Sequence, residues 1–135
     1  MDEREQTRTP PAVKGDSRKR LGNAGERLAA DRLRQAGYLV RMQNYRCRVG
    51  EVDIVAEEAG DIVFVEVKTR RGEAYGIPEE AVTPAKQRKL IAAAQTYLEA
   101  YGCADASWRV DVVAIALTRE GKLEEVRIYR HAISG

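Results

Sequence analysis

Ile62-Val63-Phe64-Val65-Glu66-Val67-Lys68 is the stretch that decides the fold. Apart from Glu66, residues 62 to 67 are apolar on both faces, which predicts a central strand covered on each side. Upstream, Gly50-Glu51-Val52-Asp53-Ile54-Val55 reads as a second strand, with Ala59-Gly60 as the turn between them. A hairpin closed there pairs residues at a constant sum of their numbers, so Glu58 faces Asp61 and Asp53 faces Glu66. Opposed residues on antiparallel strands have Cβ atoms roughly 5 Å apart on one face. Lys68 shares that face with Glu66 through the period-two alternation of a strand. Two carboxylates and an ammonium are thereby brought to one point, an arrangement suited to a divalent cation and a phosphate. The same residues can also form a solvated ladder of ion pairs. Opposed like charges destabilise a sheet, however, and a chain that keeps them at the edge of a core has use for a cation between them.

The remaining elements follow from local signals. A first helix is expected from about Gly22 to Ala36, stopped by Gly37, with Ala29, Ala30 and Leu33 as its inner stripe. Glu26 falls on or beside that stripe and has two readings. Taken alone it is best read as a first-turn acid favoured by the helix dipole; the alternative is an acid aimed at the sheet. Gly25, lacking a Cβ, allows close approach of backbone or ligand. Strands are expected at about 38–45, 51–57 and 62–70, then a loop from Arg71 to Pro78. A second helix has Thr83 as N-cap and Pro84 at its first position, keeps helical spacing through Leu90, Ile91, Ala94, Tyr97, Leu98 and Tyr101, and ends at Gly102. Lys86 and Gln87 lie in its first turn, where free N–H groups favour an anion; Lys86 reads equally well as an exposed helix lysine. Two strands close the chain, Trp108 to Leu117 and about Leu123 to Tyr129. Asp111 interrupts an apolar run and is expected to pair with a buried Arg or a backbone N–H, outside the site. The order is α-β-β-β-α-β-β, an α/β sandwich with a mixed central sheet and no internal repeat.

At 135 residues the chain fits one domain, residues 21–135, preceded by an arm at 1–20 whose Pro10-Pro11, mixed charges and lack of periodicity predict disorder. No stretch approaches the roughly 20 apolar residues of a membrane span. The segment from Met1 to Arg20 has no apolar core of a secretory signal. Cys47 and Cys103 lack CxxC spacing and are expected to stay reduced in a cytoplasm. With His131 as the sole histidine, a zinc site is not expected. The formal charge of +2 equals the surplus held by residues 1–21, so the folded part is formally neutral. Phosphate binding must then come from local patches: Arg41, Arg46 and Arg48 before the Asp53 strand, and Lys68, Arg70 and Arg71 after Glu66.

Chemically, Mg²⁺ takes one or two carboxylates together with waters and substrate phosphate. Asp53 and Glu66 supply the carboxylates, and the Val67 carbonyl a third oxygen. Such an ion polarises a phosphate and acidifies a bound water. Lys68 either orients that water or neutralises charge growing on the phosphorus. Beside two acids and without a metal, Lys68 is expected to stay protonated. There is no Walker-type cradle and no Ser or Cys with a supporting base. A nearby Lys and few aromatics also argue against a glycosidase cleft.

Asp53 followed by Glu66-x-Lys68 on a hairpin, with Glu26 on the preceding helix, resembles the PD-(D/E)xK nuclease superfamily. The closer resemblance is to the YraN family of small bacterial proteins, themselves similar to Holliday-junction resolvases. It is carried by Gly22-Asn-Ala-Gly25-Glu26, Asn44-Tyr-Arg46, Gly50-Glu-Val-Asp53-Ile-Val, Phe64-Val-Glu66-Val-Lys68-Thr-Arg70, Tyr75-Gly76, Lys86 and Arg109-Val-Asp111-Val-Val, spanning about residues 21 to 130. Val52 stands where the superfamily's name has proline. The resemblance implies a restriction-endonuclease-like three-layer fold and a Mg²⁺-dependent endonuclease, with Mn²⁺ as a substitute. Its substrate would be DNA, branched or otherwise structured, and its working form a homodimer. It implies Asp53 and Glu66 as metal ligands, to which the Val67 carbonyl would add, Lys68 as the catalytic lysine and Glu26 as a further acid. Arg46, Arg48, Arg70, Arg71, Tyr75, Lys86 and Gln87 become the nucleic-acid contacts. Two rivals remain: a nucleic-acid-binding protein that keeps the fold without cutting, and a scaffold whose acids form a salt-bridge network.

Overall fold

The computed structural model describes residues 17–72 and 82–133. Its elements are α1 (Ser17–Gln35), β1 (Leu39–Cys47), β2 (Gly50–Glu58), β3 (Asp61–Arg71), α2 (Pro84–Ala100), β4 (Trp108–Leu117) and β5 (Leu123–Ile133). The strands form a five-stranded sheet of order β1-β2-β3-β4-β5. β3 is central. It pairs antiparallel with β2 and parallel with β4, while β1–β2 and β4–β5 are antiparallel. The expected order and mixed sheet are therefore the observed ones.

The two faces carry separate cores, as the two-sided apolar run of β3 requires. Ile62 and Phe64 pack with Leu90, Ala94, Tyr97 and Leu98 of α2, and Val63 and Val65 with Ala29, Ala30 and Leu33 of α1. Phe64 meets Tyr97 and Trp108 edge-on, with ring centroids 5.7 and 5.8 Å apart. Such pairs contribute about 0.5–1.5 kcal/mol each beyond area burial. Helix α2 starts where its sequence directs: Thr83 Oγ1 accepts the Lys86 N–H at 3.2 Å, and Pro84 opens the helix. Both helices end on a glycine at positive φ. Gly37 is followed by Tyr38 N–H donating to the Leu33 carbonyl at 2.9 Å, and Gly102 by Cys103 N–H donating to Leu98 at 2.7 Å.

Two boundaries differ from expectation. α1 begins at Ser17, inside the stretch read as an arm; Arg18, Lys19 and Arg20 are good helix formers that carry the helix back past Gly22. The rest of the predicted arm, residues 1–16, lies outside the described residues, as does most of the Arg71–Pro78 loop, from residue 73 onward. β5 runs on to Ile133 because its ladder with β4 resumes at Val110↔Ile133 after a shift. At that shift His131 has φ 54, and its N–H donates to Asp111 Oδ1 at 3.0 Å, so a side chain replaces the missing backbone pair. Among the described residues no helix is long and apolar enough to cross a membrane.

Candidate active site

The hairpin of β2 and β3 has the expected register. Its backbone ladder runs from Glu58↔Asp61 to Ile54↔Val65. Ala59 and Gly60 both have positive φ, 54° and 85°, as a tight two-residue hairpin turn with the native twist requires. Asp53 and Glu66 lie one position beyond the last of these pairs. There Asp53 Oδ2 accepts the Val67 N–H at 2.8 Å. The carboxylate thus takes over a hydrogen bond that the ladder would otherwise make, and it lies between the two strands instead of standing on one face.

Side-chain alternation breaks at the same point. Ile54 and Ala56 belong to the α1-side core, yet Val52, two residues before Ile54, belongs to the α2-side core. On the partner strand the register is unchanged from Met42 to Cys47, with Gln43 opposite Ile54 and Tyr45 opposite Val52. Between them, opposite Asp53, Asn44 sits at φ 59. Asn is one of the few residues that adopt this left-handed conformation readily. Such irregularities re-aim side chains next to functional centres. Here the result is an Asp reached from both layers.

From the α1 layer comes Glu26, hydrogen-bonded to the Asn44 side chain. The first-turn reading of Glu26 is overturned: α1 starts at Ser17 and has no acid in its first turn. What brings Glu26 inward is Gly25, where an added Cβ would lie 2.6 Å from Thr69 Oγ1 of β3. From the α2 layer comes Glu66, only 5% exposed. Its Oε2 is 2.9 Å from Lys86 Nζ and 3.8 Å from Lys68 Nζ. Lys86 is an exposed helix lysine, as one of its two readings had it, and it also reaches the centre through Glu66.

The electrostatics follow from this crowding. Burial, and then the Glu66 charge, push the Asp53 carboxyl up to about 8 despite the Val67 N–H; Glu26 and Glu51 push the same way. Glu26 is raised too, by burial first, with Asn44 and Arg46 working against the rise. Lys68 was expected to be held in its charged form by the two acids. Instead its affinity for a proton is lowered, by burial and then by the Lys86 ammonium, which outweigh Glu66 and Asp53. For Lys86, burial works against the charge but the Glu66 hydrogen bond and charge prevail, so its pKa is raised. Among the described residues no three His, Cys, Asp or Glu side chains close around one point as a ready metal cage. What the centre offers is two carboxylates, Asp53 held by the Val67 N–H and Glu66 by Lys86.

The other expected contacts are spread out. Arg46 is exposed and pairs with Glu51 at 3.4 Å, and Arg48 lies in the adjacent β1–β2 turn. Gln87 turns its amide to the Val82 carbonyl at 2.9 Å. Arg70 pairs with Ala116 on β4, and Arg71, at the end of β3, lies against Gly121 in the β4–β5 turn. Tyr75 lies outside the described residues. Asp111 is placed as expected, away from the site. It is fully buried and accepts from Tyr38 Oη at 2.7 Å, Arg109 Nε at 3.0 Å and the His131 N–H. Arg109 also binds Asp61 at 2.9 Å and Glu58, whose second oxygen takes Arg130 at 2.8 Å. This network clamps the turn end of the hairpin to β4 and β5.

Comparison with known proteins adds a family. The model of the family described as "Uncharacterised protein family UPF0102" matches residues 25–115. The chain belongs to the UPF0102 family. Relatives include a UPF0102 protein of Symbiobacterium thermophilum, 48% identical over 105 residues, covering 78% of this chain and 89% of that one. Another, from Caldicellulosiruptor saccharolyticus, is 38% identical over 116 residues, covering 86% and 98%. A third, from Geobacter sulfurreducens, is 50% identical over 97 residues, covering 72% and 76%. The segment matched by the family model starts at Gly25, runs through Glu26, Asn44, Asp53, Glu66, Lys68 and Lys86, and ends at Ile115. Asn44 was quoted in the sequence motif without a role; an Asn inside a strand, opposite an acid, was the available signal.

Proposed function

We propose that this UPF0102 chain is a Mg²⁺-dependent endonuclease that hydrolyses phosphodiester bonds in branched or otherwise structured DNA. The observation that carries the reading is Asp53, a carboxylate fixed by the Val67 N–H and driven up to about 8 by burial and by the acids around it. Charge crowded in this way favours a cation. Two carboxylates with open positions left for water and phosphate fit the preference of Mg²⁺. Asp53 and Glu66 would hold the ion, with the Val67 carbonyl as a further oxygen, and Mn²⁺ would substitute. When bound there, the ion supplies positive charge against the scissile phosphate and lowers the pKa of a water. The likeness of Asp53…Glu66-x-Lys68 to the YraN family and to PD-(D/E)xK nucleases supports the same reading.

The chain's own residues do the rest. Water attacks phosphorus, a P–O bond to the leaving strand breaks, and the water's proton must be taken up. Lys68 lies 3.8 Å from Glu66 Oε2 with its proton loosened by burial and by Lys86. It either accepts that proton or stabilises the charge growing on the phosphate. Lys68→Arg separates the two, because Arg keeps the charge and cannot accept the proton. A four-way junction has two equivalent strands to cut, so a homodimer is the working form.

The second reading, a nucleic-acid-binding protein that does not cut, is favoured by one observation: Lys86 already occupies Glu66 at 2.9 Å. A labelled panel of four-way junction, flap, single strand and duplex decides between them. The nuclease reading expects cutting with Mg²⁺ or Mn²⁺, none with EDTA, and loss in Asp53→Ala and Lys68→Ala. Binding without cutting under all these conditions establishes the second reading instead.

A further inference from the structure

A cleft of about 660 Å³ opens beside the acid centre, between the β1–β2 turn and the first two turns of α2. Its width is fixed. Gly50 lies so close to α2 that an added Cβ would be 2.8 Å from the Lys89 carbonyl oxygen. Arg46, Arg48, Lys86 and Lys89 line it, against the single acid Glu51. Two of these cations are engaged, Arg46 with Glu51 and Lys86 with Glu66. Arg48 and Lys89 are exposed, and neither forms an ion pair with another described residue. Lys86 is shared between the cleft and the centre, so a strand whose phosphate sits at Asp53 and Glu66 runs directly into the cleft. Val49, 46% exposed, offers an apolar surface at the tip of the turn.

We infer that the cleft seats an unpaired DNA strand on one side of the phosphate to be cut, with Arg48 and Lys89 on its backbone phosphates and Val49 along a base turned out of the stack. The inference rests on the nuclease reading for its direction and on the cleft for its shape. A duplex keeps its bases stacked inside and presents its phosphates on a convex surface, so it meets only the rim of a concavity. A strand free of its partner can follow the concavity and enter it, as strand-tracking grooves and base-flipping pockets require. Positive lining in which no described residue pairs with Arg48 or Lys89 is what a polyanion calls for.

The test is fluorescence anisotropy in EDTA, so that no cutting intervenes. The probes are a labelled oligothymidylate of about 12 nucleotides, the matching duplex and a uridylate of the same length. Wild type is compared with the Arg48→Ala/Lys89→Ala double variant, whose exposed side chains can be truncated without loss of fold, checked by melting. Wild type is expected to bind the single strand at least ~10-fold more tightly than the duplex, and the variant to show a salt dependence flatter by about 0.7 per lost contact. Unchanged affinity and salt slope in the variant overturn the inference, as does equal or tighter wild-type binding of duplex. Tighter binding of uridylate by about tenfold overturns DNA as the occupant. The two claims fail separately. Metal-dependent cutting by a protein whose cleft variant binds normally removes the cleft alone, and the expected binding with no cutting on any substrate removes the nuclease alone.

Discussion

Asp53 Oδ2 accepts the Val67 N–H at 2.8 Å, one position past the last backbone pair of their strands, Ile54 with Val65. A side chain has entered the sheet in place of a ladder bond. That position leaves Asp53 half-buried and open to charges on both layers. Glu26 reaches it from the α1 side and Glu66 from the α2 side, so the hairpin and the two helices meet electrostatically at a single carboxylate.

The metal-free protein should therefore lose stability as pH rises. Burial and Glu66 raise Asp53 from 3.8 to about 8 in the folded state. Between those values the native protein holds more protons than the unfolded chain, so the unfolding free energy falls with increasing pH. The urea midpoint measured in EDTA should drop between about pH 5 and 8 in the wild type and drop much less in Asp53→Asn, where only the raised Glu26 remains. Even one unit of the shift corresponds to about 1.4 kcal/mol, so at the alkaline end Asp53→Asn should be the more stable protein. Parallel profiles for the two would contradict this.

Asn44 should act through Glu26. Asn44→Gly keeps the φ of 59° accessible and removes only the side chain, whereas Asn44→Ala adds roughly 1 kcal/mol of left-handed strain. Because the Asn44 hydrogen bond lowers the Glu26 pKa, the Gly variant should fold normally with Glu26 titrating at higher pH. Carboxyl carbon NMR reads this directly. An unmoved Glu26 would mean that the contact does not hold it.

Gly25→Ala should cost about 1–3 kcal/mol, the usual penalty of overpacking, since the new Cβ would lie 2.6 Å from Thr69 Oγ1. Combining it with Thr69→Ala removes the obstructing oxygen and should recover most of the loss. A double variant no better than the sum of its parts would place the cost elsewhere, in the helix itself.

Arg109 and Arg130 share Glu58 but should differ sharply. Arg109 is 7% exposed and satisfies the fully buried Asp111; Arg109→Met strands that charge and should cost about 3–5 kcal/mol. Arg130 has a side chain 45% exposed, so Arg130→Met should cost no more than about 1 kcal/mol. Neither change should alter the acid centre, which lies at the other end of the hairpin. Chemical denaturation with Mn²⁺ titration checks both statements.

Much of this was legible in the sequence, for local reasons. The two-sided apolar run of Ile62 to Val67 announced a central strand, Ala59-Gly60 set the register, and Thr83-Pro84 fixed the start of α2. Asp111 in an apolar run called for a buried partner, and Arg109 with the His131 N–H supplies it. What stayed hidden depends on where layers meet. Glu26 looked like a first-turn acid because the helix-forming Arg18, Lys19 and Arg20 were read as part of an arm, whereas α1 begins at Ser17. The lowered Lys68 pKa comes from burial first and then from Lys86, which is brought beside it by the crossover helix between β3 and β4. The broken alternation at Asp53 and the positive φ at Asn44 left only a faint trace, one Asn opposite one Asp, because positive φ is not written in hydrophobic pattern.

The most direct test of the acid pair needs no knowledge of substrate: calorimetric titration of metal-free protein with Mn²⁺ near neutral pH, in two buffers of different ionisation enthalpy. A single site is expected, weakened at least ~10-fold in both Asp53→Asn and Glu66→Gln, with proton release as the metal displaces the proton held by Asp53. Absence of binding, or equal binding by wild type and both variants, would contradict the account.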